Sequence, residues 1–185
     1  DIQSALSSAA KGISQYSELM AMFPNSNVST DAEFQRKFNA FYKVQRRQKL
    51  WYEKYYTLMQ QQKDGKPNFA DVLDEIYSLT GRYEPSFVSK LVATIDPSKP
   101  IWDQHVFANT GHRAPSYSSK KKFIQAKDAY VSVENWYRVF LESDDGQLCI
   151  SEFDKFAPEH RGITALKKVD FILWQMRSKR KKVST

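Results

Sequence analysis

An aspartate at the start of a short apolar segment is the residue best placed for chemistry in this sequence. Asp103 follows Trp102 in the segment 99–109, which has a proline at position 100. Spacing alone leaves two roles open for its carboxylate. It can cap the following helix, because a helix N-terminus attracts negative charge. It can also be a functional group, since the ionised form, which predominates for aspartate at neutral pH, stabilises developing positive charge and activates water.

The other reactive residue types lack the spacing of a metal or nucleophile site. No two of the histidines, His105, His112 and His160, are four residues apart. The segment 141–152 matches a calcium loop at its glycine and final glutamate, but its first position is a leucine where calcium needs a carboxylate. The lone cysteine, Cys149, lies between two apolar residues, as is typical of a buried structural thiol. The sequence therefore predicts no metal and no other cofactor.

The apolar residues of this sequence recur mainly at helical spacing, so helices are the elements that must position Asp103. Glycine and proline are few, and the pattern predicts helices over 2–22, 31–62, 69–80, 86–95, 101–109, 118–142, 149–157 and 162–178. Around Val131 a break or a short strand is the alternative. The helix 31–62 combines an aromatic stripe with an opposite basic side, which is either a solvated face or a phosphate-facing one. The fold class is predicted to be all-α, a single compact multi-helix domain.

Length and charge limit the organisation and the partners. The 185 residues predict one helical domain, 1–178, followed by a basic tail, 179–185. The formal net charge is +7, and much of it comes from the C-terminal basic residues, so either a polyanion partner or a solubilising tail is indicated. One cysteine cannot form an internal disulfide, which favours a reducing, cytoplasmic compartment. No stretch has the roughly 18 apolar residues needed to span a membrane, so no membrane association is predicted.

The segment Ile101–Phe107 resembles the block of the helix-hairpin-helix DNA glycosylases, the endonuclease III and 8-oxoguanine glycosylase superfamily, in which an aspartate precedes a histidine by two residues. Upstream, Leu79-Thr80-Gly81 resembles the first part of that family's hairpin, and Ser86–Ile95 resembles the helix that follows it. The second hairpin glycine is missing here. Bifunctional members carry a nucleophilic lysine farther upstream of the aspartate than Lys90, so the chain resembles a short, divergent, monofunctional branch.

The resemblance implies a monofunctional DNA glycosylase that acts on double-stranded DNA as a monomer. The catalytic residue would be Asp103, which would stabilise the sugar cation and activate water. A base inside a duplex is out of reach, so a damaged or modified base would be flipped into a pocket. The implied base-pocket residues are Trp102, Tyr83, Phe107 and His105. The implied nucleic-acid-binding residues are Gly81, through nearby backbone N–H groups, and Lys90, Arg113, Lys120, Lys121 and Lys122.

Two other function classes fit the same residues. One is a non-catalytic nucleic-acid-binding helical module, which the degenerate hairpin favours. The other is a helical protein–protein adaptor that would use the aromatic-rich helix 31–62 as its docking face and would therefore expose a large apolar patch.

Overall fold

Nine α-helices joined by turns and short loops make up residues 1–176, the part of the chain that the computed structural model describes. They are α1 (Ile2–Met22), α2 (Ala32–Tyr42), α3 (Lys49–Gln62), α4 (Phe69–Thr80), α5 (Pro85–Ile95), α6 (Gln104–Asn109), α7 (Lys122–Glu142), α8 (Asp144–Phe156) and α9 (Ala165–Gln175). Residues 1–176 contain no strand, so the predicted all-α class is confirmed. The predicted tail 179–185 and the end of the predicted domain at 178 lie outside the described residues.

Helix α9 is buried along most of its length and packs against four other helices. It contacts α1 most extensively, and also α6, α7 and α8, while α4 packs against α5 and α3. Local capping explains several helix starts: the side chain of Asp31 accepts the N–H groups of Glu33 and Phe34, and Asn68 accepts that of Asp71. The predicted helices 2–22 and 69–80 are confirmed with these bounds. Those predicted over 86–95, 101–109, 118–142 and 162–178 are present with ends shifted by one to four residues.

The predicted continuous helix 31–62 is wrong. The chain leaves the helix at Lys43 and does not resume it until Lys49, because Lys43 and Arg46 adopt left-handed backbone angles, with φ of 54° and 61°. The break lets α3 fold back beside α2, so that Phe38 packs against the rings of Tyr55 and Tyr56. The aromatic stripe of one long helix thus becomes two stripes that bury each other, and this burial is the physical reason for the break.

Folding back buries most of the aromatic stripe on which the adaptor hypothesis rests. The side chains buried in the core include those of Phe34, Phe38, Phe41, Tyr55 and Met59, whereas Leu50 is 59% exposed.

The helix predicted over 149–157 begins earlier, at Asp144, because the Ser143 side chain caps it by accepting the N–H of Gly146 at 3.2 Å. The segment that resembles a calcium loop is therefore the junction between α7 and α8. The alternative break near Val131 does not occur, since α7 is continuous through that residue. Gly146 permits the tight junction, because a Cβ there would overlap the Phe140 carbonyl oxygen.

We expect Gly146→Ala to destabilise the protein by about 3 kcal/mol, because the methyl group must displace the backbone of α7 rather than a flexible side chain. Urea unfolding measures this. The matched control is Gly162→Ala, where a Cβ meets nothing within 4 Å and φ is not in the left-handed region, so that stability should change by less than about 1 kcal/mol. Equal effects of the two substitutions would contradict this account of the junction.

Candidate active site

Asp103 is the N-cap of α6, as one of its two predicted roles requires. Its Oδ1 accepts the backbone N–H groups of His105 at 2.7 Å and Val106 at 3.3 Å. The other carboxylate oxygen accepts no hydrogen bond from residues 1–176. The side chain is half-buried and lines a cavity of about 210 Å³. The capping role thus uses one oxygen and leaves the second without a protein donor in the described chain.

Residues from four parts of the chain form the cavity around Asp103. They come from the end of α2, from α5, from the segment entering α6, and from α9. The lining residues are Tyr42, Lys43, Lys90, Ile101, Asp103, Gln104, His105, Val106, Lys167, Asp170 and Trp174. Three lysines against two aspartates give the lining a net positive charge, which suits an electron-rich ligand.

Hydrogen bonds between α5 and the segment before α6 fix the position of Asp103. The Trp102 N–H donates to Ser89 Oγ at 2.8 Å, and Ser86 Oγ donates to the Trp102 carbonyl at 3.1 Å. Since both serines belong to α5, the residue immediately before Asp103 is tied to the same helix that carries Lys90. This coupling brings a carboxylate and an amine to one cavity although thirteen positions separate them.

Lys90 has an unusual environment for a lysine. Its ammonium group donates to Ser86 Oγ at 3.1 Å and lies 5.1 Å from the centre of the Phe87 ring. Burial lowers the pKa of Lys90 to about 8; the charge of Asp103 opposes the shift, and the charges of Lys167 and Lys43 add to it. A substantial fraction of this amine is therefore neutral just above physiological pH. The sequence predicted Lys90 as a nucleic-acid contact, whereas the structure places it in the cavity.

Of the predicted base-pocket residues, only His105 lines the cavity. Trp102 and Phe107 are buried in the core, where Trp102 stacks on Phe69 with the ring centres 5.7 Å apart. Tyr83 lies in the α4–α5 turn and packs on Tyr117. The structure therefore does not bring these three rings to Asp103.

The aromatic side chains that do line the cavity, Tyr42 and Trp174, were missed by sequence reasoning. Tyr42 ends a helix that was predicted to continue, so nothing in the pattern indicated an open wall there. The Tyr42 hydroxyl is buried and has no hydrogen-bond partner within the described chain.

The predicted phosphate contacts lie elsewhere on the surface. Gly81 caps α4 with φ of 68°, and its N–H donates to the Tyr77 carbonyl at 2.7 Å. The side chains of Arg113, Lys120 and Lys121 are exposed. Lys122 is half-buried and lies 5.1 Å from the centre of the Tyr83 ring. The lysine run therefore borders the α4–α5 turn, while Lys90 does not belong to this surface.

A buried ion pair forms the floor of the cavity. Lys167 Nζ lies 2.6 Å from Asp170 Oδ2, and both side chains are at least nine-tenths buried. The Tyr137 hydroxyl donates to Asp170 Oδ1 at 3.2 Å. A lysine and an aspartate three residues apart in a mainly apolar helix, which also carries Lys168, are the sequence signal for such a pair.

Comparison of the chain with protein-family models, with curated proteins and with solved structures finds no match in any of the three. Residues 1–176 contain no group of three or more histidine, cysteine or acidic side chains that would hold a metal ion. Over the same residues, no helix has both the length and the apolar character that crossing a bilayer requires.

We expect Asp170→Asn to lower the free energy of unfolding by about 3 kcal/mol, because it leaves the buried Lys167 ammonium without its counter-charge. The control is Glu53→Gln, which breaks the exposed pair between Lys49 and Glu53. That change should cost no more than about 0.5 kcal/mol. Equal losses in urea unfolding would mean that the buried pair does not organise this core.

Proposed function

We propose that this protein is a DNA glycosylase that removes a damaged or modified base from double-stranded DNA and leaves an abasic site. The observation that carries the proposal is the cavity in which Asp103 keeps one carboxylate oxygen free of protein donors. The resemblance of Ile101–Phe107 to the helix-hairpin-helix glycosylase block supports it.

The chemistry needs a single carboxylate. When the bond between C1′ and the base nitrogen breaks, its electron pair leaves with the base and positive charge develops on the sugar. The Asp103 carboxylate stabilises this charge and then accepts a proton from the water that attacks C1′. The proton passes to the departing base or to solvent, so the products are the free base and an abasic sugar. The cap hydrogen bonds hold the carboxylate in place throughout.

Base recognition falls to the walls of the cavity. A flipped base would stack on Trp174, which lines the cavity. Trp102 and Phe107 serve the site indirectly, because their packing in the core holds the start of α6. The positive lining favours a base with electron-rich edges.

We expect Asp103→Asn to reduce excision by at least about 100-fold while leaving folding intact, because asparagine is an equally good N-cap but carries no charge. DNA containing lesions or hypermodified bases would be incubated with the protein, treated with hot alkali and analysed for strand breaks. The matched control is Asp31→Asn, which makes the same substitution at the N-cap of α2, outside the cavity.

Excision at the wild-type rate by the Asp103→Asn protein would contradict the proposed role of Asp103. DNA binding without any excision by the wild type would favour the non-catalytic binding module instead. Loss of activity in the Asp31→Asn control would indicate a general effect of weakening a cap.

A second activity, strand cleavage at the abasic site, is favoured by the position of Lys90. Its neutral amine can attack C1′ of the ring-opened sugar and expel water to form an imine. Removal of a proton from C2′ then breaks the bond to the 3′ phosphate, which leaves with the electron pair. The proximity of the lysine to Asp103 in one cavity is the specific observation for this activity.

We expect borohydride to trap a covalent complex between the protein and abasic DNA, and the yield to rise with pH around a midpoint near 8, since only the neutral amine is nucleophilic. Lys90→Gln should abolish the adduct. Lys43→Gln, which removes another lysine from the same cavity, should retain it. If the wild type gives no adduct at any pH, the enzyme is monofunctional, as the sequence predicted.

A further inference from the structure

The loop between α2 and α3 and the turn between α4 and α5 enclose a groove that shares no residue with the Asp103 cavity. Its volume is about 510 Å³. The lining residues are Arg46, Arg47, Gln48, Leu50, Trp51, Lys54, Thr80, Gly81 and Arg82. The groove exists because residues Lys43 to Gln48 are not helical. This is the break that the predicted continuous helix 31–62 did not contain.

Four cationic side chains line this groove, those of Arg46, Arg47, Lys54 and Arg82. One carboxylate, that of Glu84, opposes them and is itself buried. The local net charge is therefore +3, which is four cations minus one anion. Arg46 makes no ion pair within residues 1–176, and its side chain is exposed.

Glu84 orients two of these arginines. Its two oxygens accept from Arg47 Nε at 2.8 Å and Arg47 Nη2 at 2.9 Å, and its Oε1 also accepts from Arg82 Nε at 2.9 Å. Arg82 uses only Nε in this contact, and its side chain is 56% exposed, so its remaining donors are available. Lys54 donates to the Leu79 carbonyl at the end of α4. Arg47, Arg82 and Lys54 are thus held in position before any ligand arrives, which lowers the entropic cost of binding.

A buried donor without an acceptor points to the ligand. The Nε1–H of Trp51 is buried, and no group in the described chain accepts its hydrogen bond. The indole is held by stacking on Tyr55, with ring centres 4.8 Å apart and planes 17° from parallel. An unpaired buried donor beside four cations calls for a ligand that is both anionic and rich in acceptor oxygens. A phosphate group meets both conditions, and guanidinium groups match its geometry.

We propose that this groove binds a backbone phosphate of duplex DNA through Arg46, Arg82 and the indole N–H of Trp51. The proposal rests on the proposed action on DNA and names the contact that positions the duplex. It differs from the contact implied by the family resemblance, because the Gly81 N–H already donates to the Tyr77 carbonyl and the Arg82 N–H to Thr80 Oγ1. Side chains, not backbone N–H groups, make the contact. The lysine run at 120–122 borders the same turn through Tyr83 and extends the basic surface.

The test compares two double variants with equal loss of charge. Arg46→Gln/Arg82→Gln removes the available guanidinium groups of the groove. Arg36→Gln/Arg138→Gln removes two exposed arginines on α2 and α7 that do not line it. Affinity for a fluorescein-labelled duplex would be measured by anisotropy over a series of salt concentrations. The groove variant should bind about tenfold more weakly at ~0.1 M salt, and its salt slope should fall by about 0.9, the change expected for the loss of one neutralised phosphate.

The readout separates this proposal from the proposed function. If the wild type binds duplex and the groove variant alone loses affinity and salt slope, the groove proposal holds even when no base is excised. If the two double variants bind equally, the groove proposal is overturned even when excision is intact. Absence of duplex binding by the wild type also overturns it, and anionic vesicles would then test a membrane surface as the alternative source of phosphate.

The indole signal of Trp51 gives an independent check. The four tryptophans produce four indole N–H resonances, and Trp51→Phe assigns one of them. Saturation with duplex should shift the Trp51 indole N–H resonance downfield. This shift should be larger than that of the Trp102 resonance, because Trp102 lies in the core next to Phe69. An unchanged Trp51 resonance in the DNA-bound protein would contradict a contact between the Trp51 indole N–H and the phosphate.

Discussion

The buried ion pair between Lys167 and Asp170 is the interaction on which the rest of the structure depends. Asp170 on α9 accepts from Lys167 and from Tyr137 on α7. The Lys167 ammonium faces four aromatic rings, those of Tyr16, Phe41, Tyr42 and Phe171. Helices α1, α2, α7 and α9 therefore meet at one charge pair. Because Tyr42, Lys167 and Asp170 also line the Asp103 cavity, the contacts that order the core also set the shape of the proposed active site.

Local sequence signals predicted the fold class and most of the helices, but not the turn that shapes the molecule. The helices 2–22 and 69–80 follow from apolar periodicity and from turn residues at their ends. The break after Tyr42 carries no proline or glycine, and it exists because burying two aromatic stripes against each other outweighs the cost of two left-handed residues. This balance depends on contacts between helices, which local sequence patterns do not reveal. The start of α8 was missed for a local reason, since Ser143 is a capping residue that the calcium-loop alignment obscured.

The sequence singled out Asp103, but it did not indicate most of the residues that line the cavity around it. Asp103 is recognisable from the residues around it, and its place at the start of α6 follows from capping. The neighbouring rings of Trp102 and Phe107 turn into the core, while Tyr42, Lys90 and Trp174 arrive from helices distant in the sequence. A cavity assembled from separate helices leaves no local pattern. The same limit applies to the basic groove, because Arg46 and Arg82 approach each other only after α3 folds back.

The central claim is that the cavity around Asp103 releases a base from DNA. The most direct measurement is mass spectrometry of the small molecules released from lesion-bearing and hypermodified duplexes by the wild type and by the Asp103→Asn protein. The account predicts a free base in the wild-type reaction and none above background with the variant, although both proteins are folded and bind DNA. A free base released equally by both proteins would contradict the account, and release by neither, with DNA still bound, would assign the cavity a binding role only.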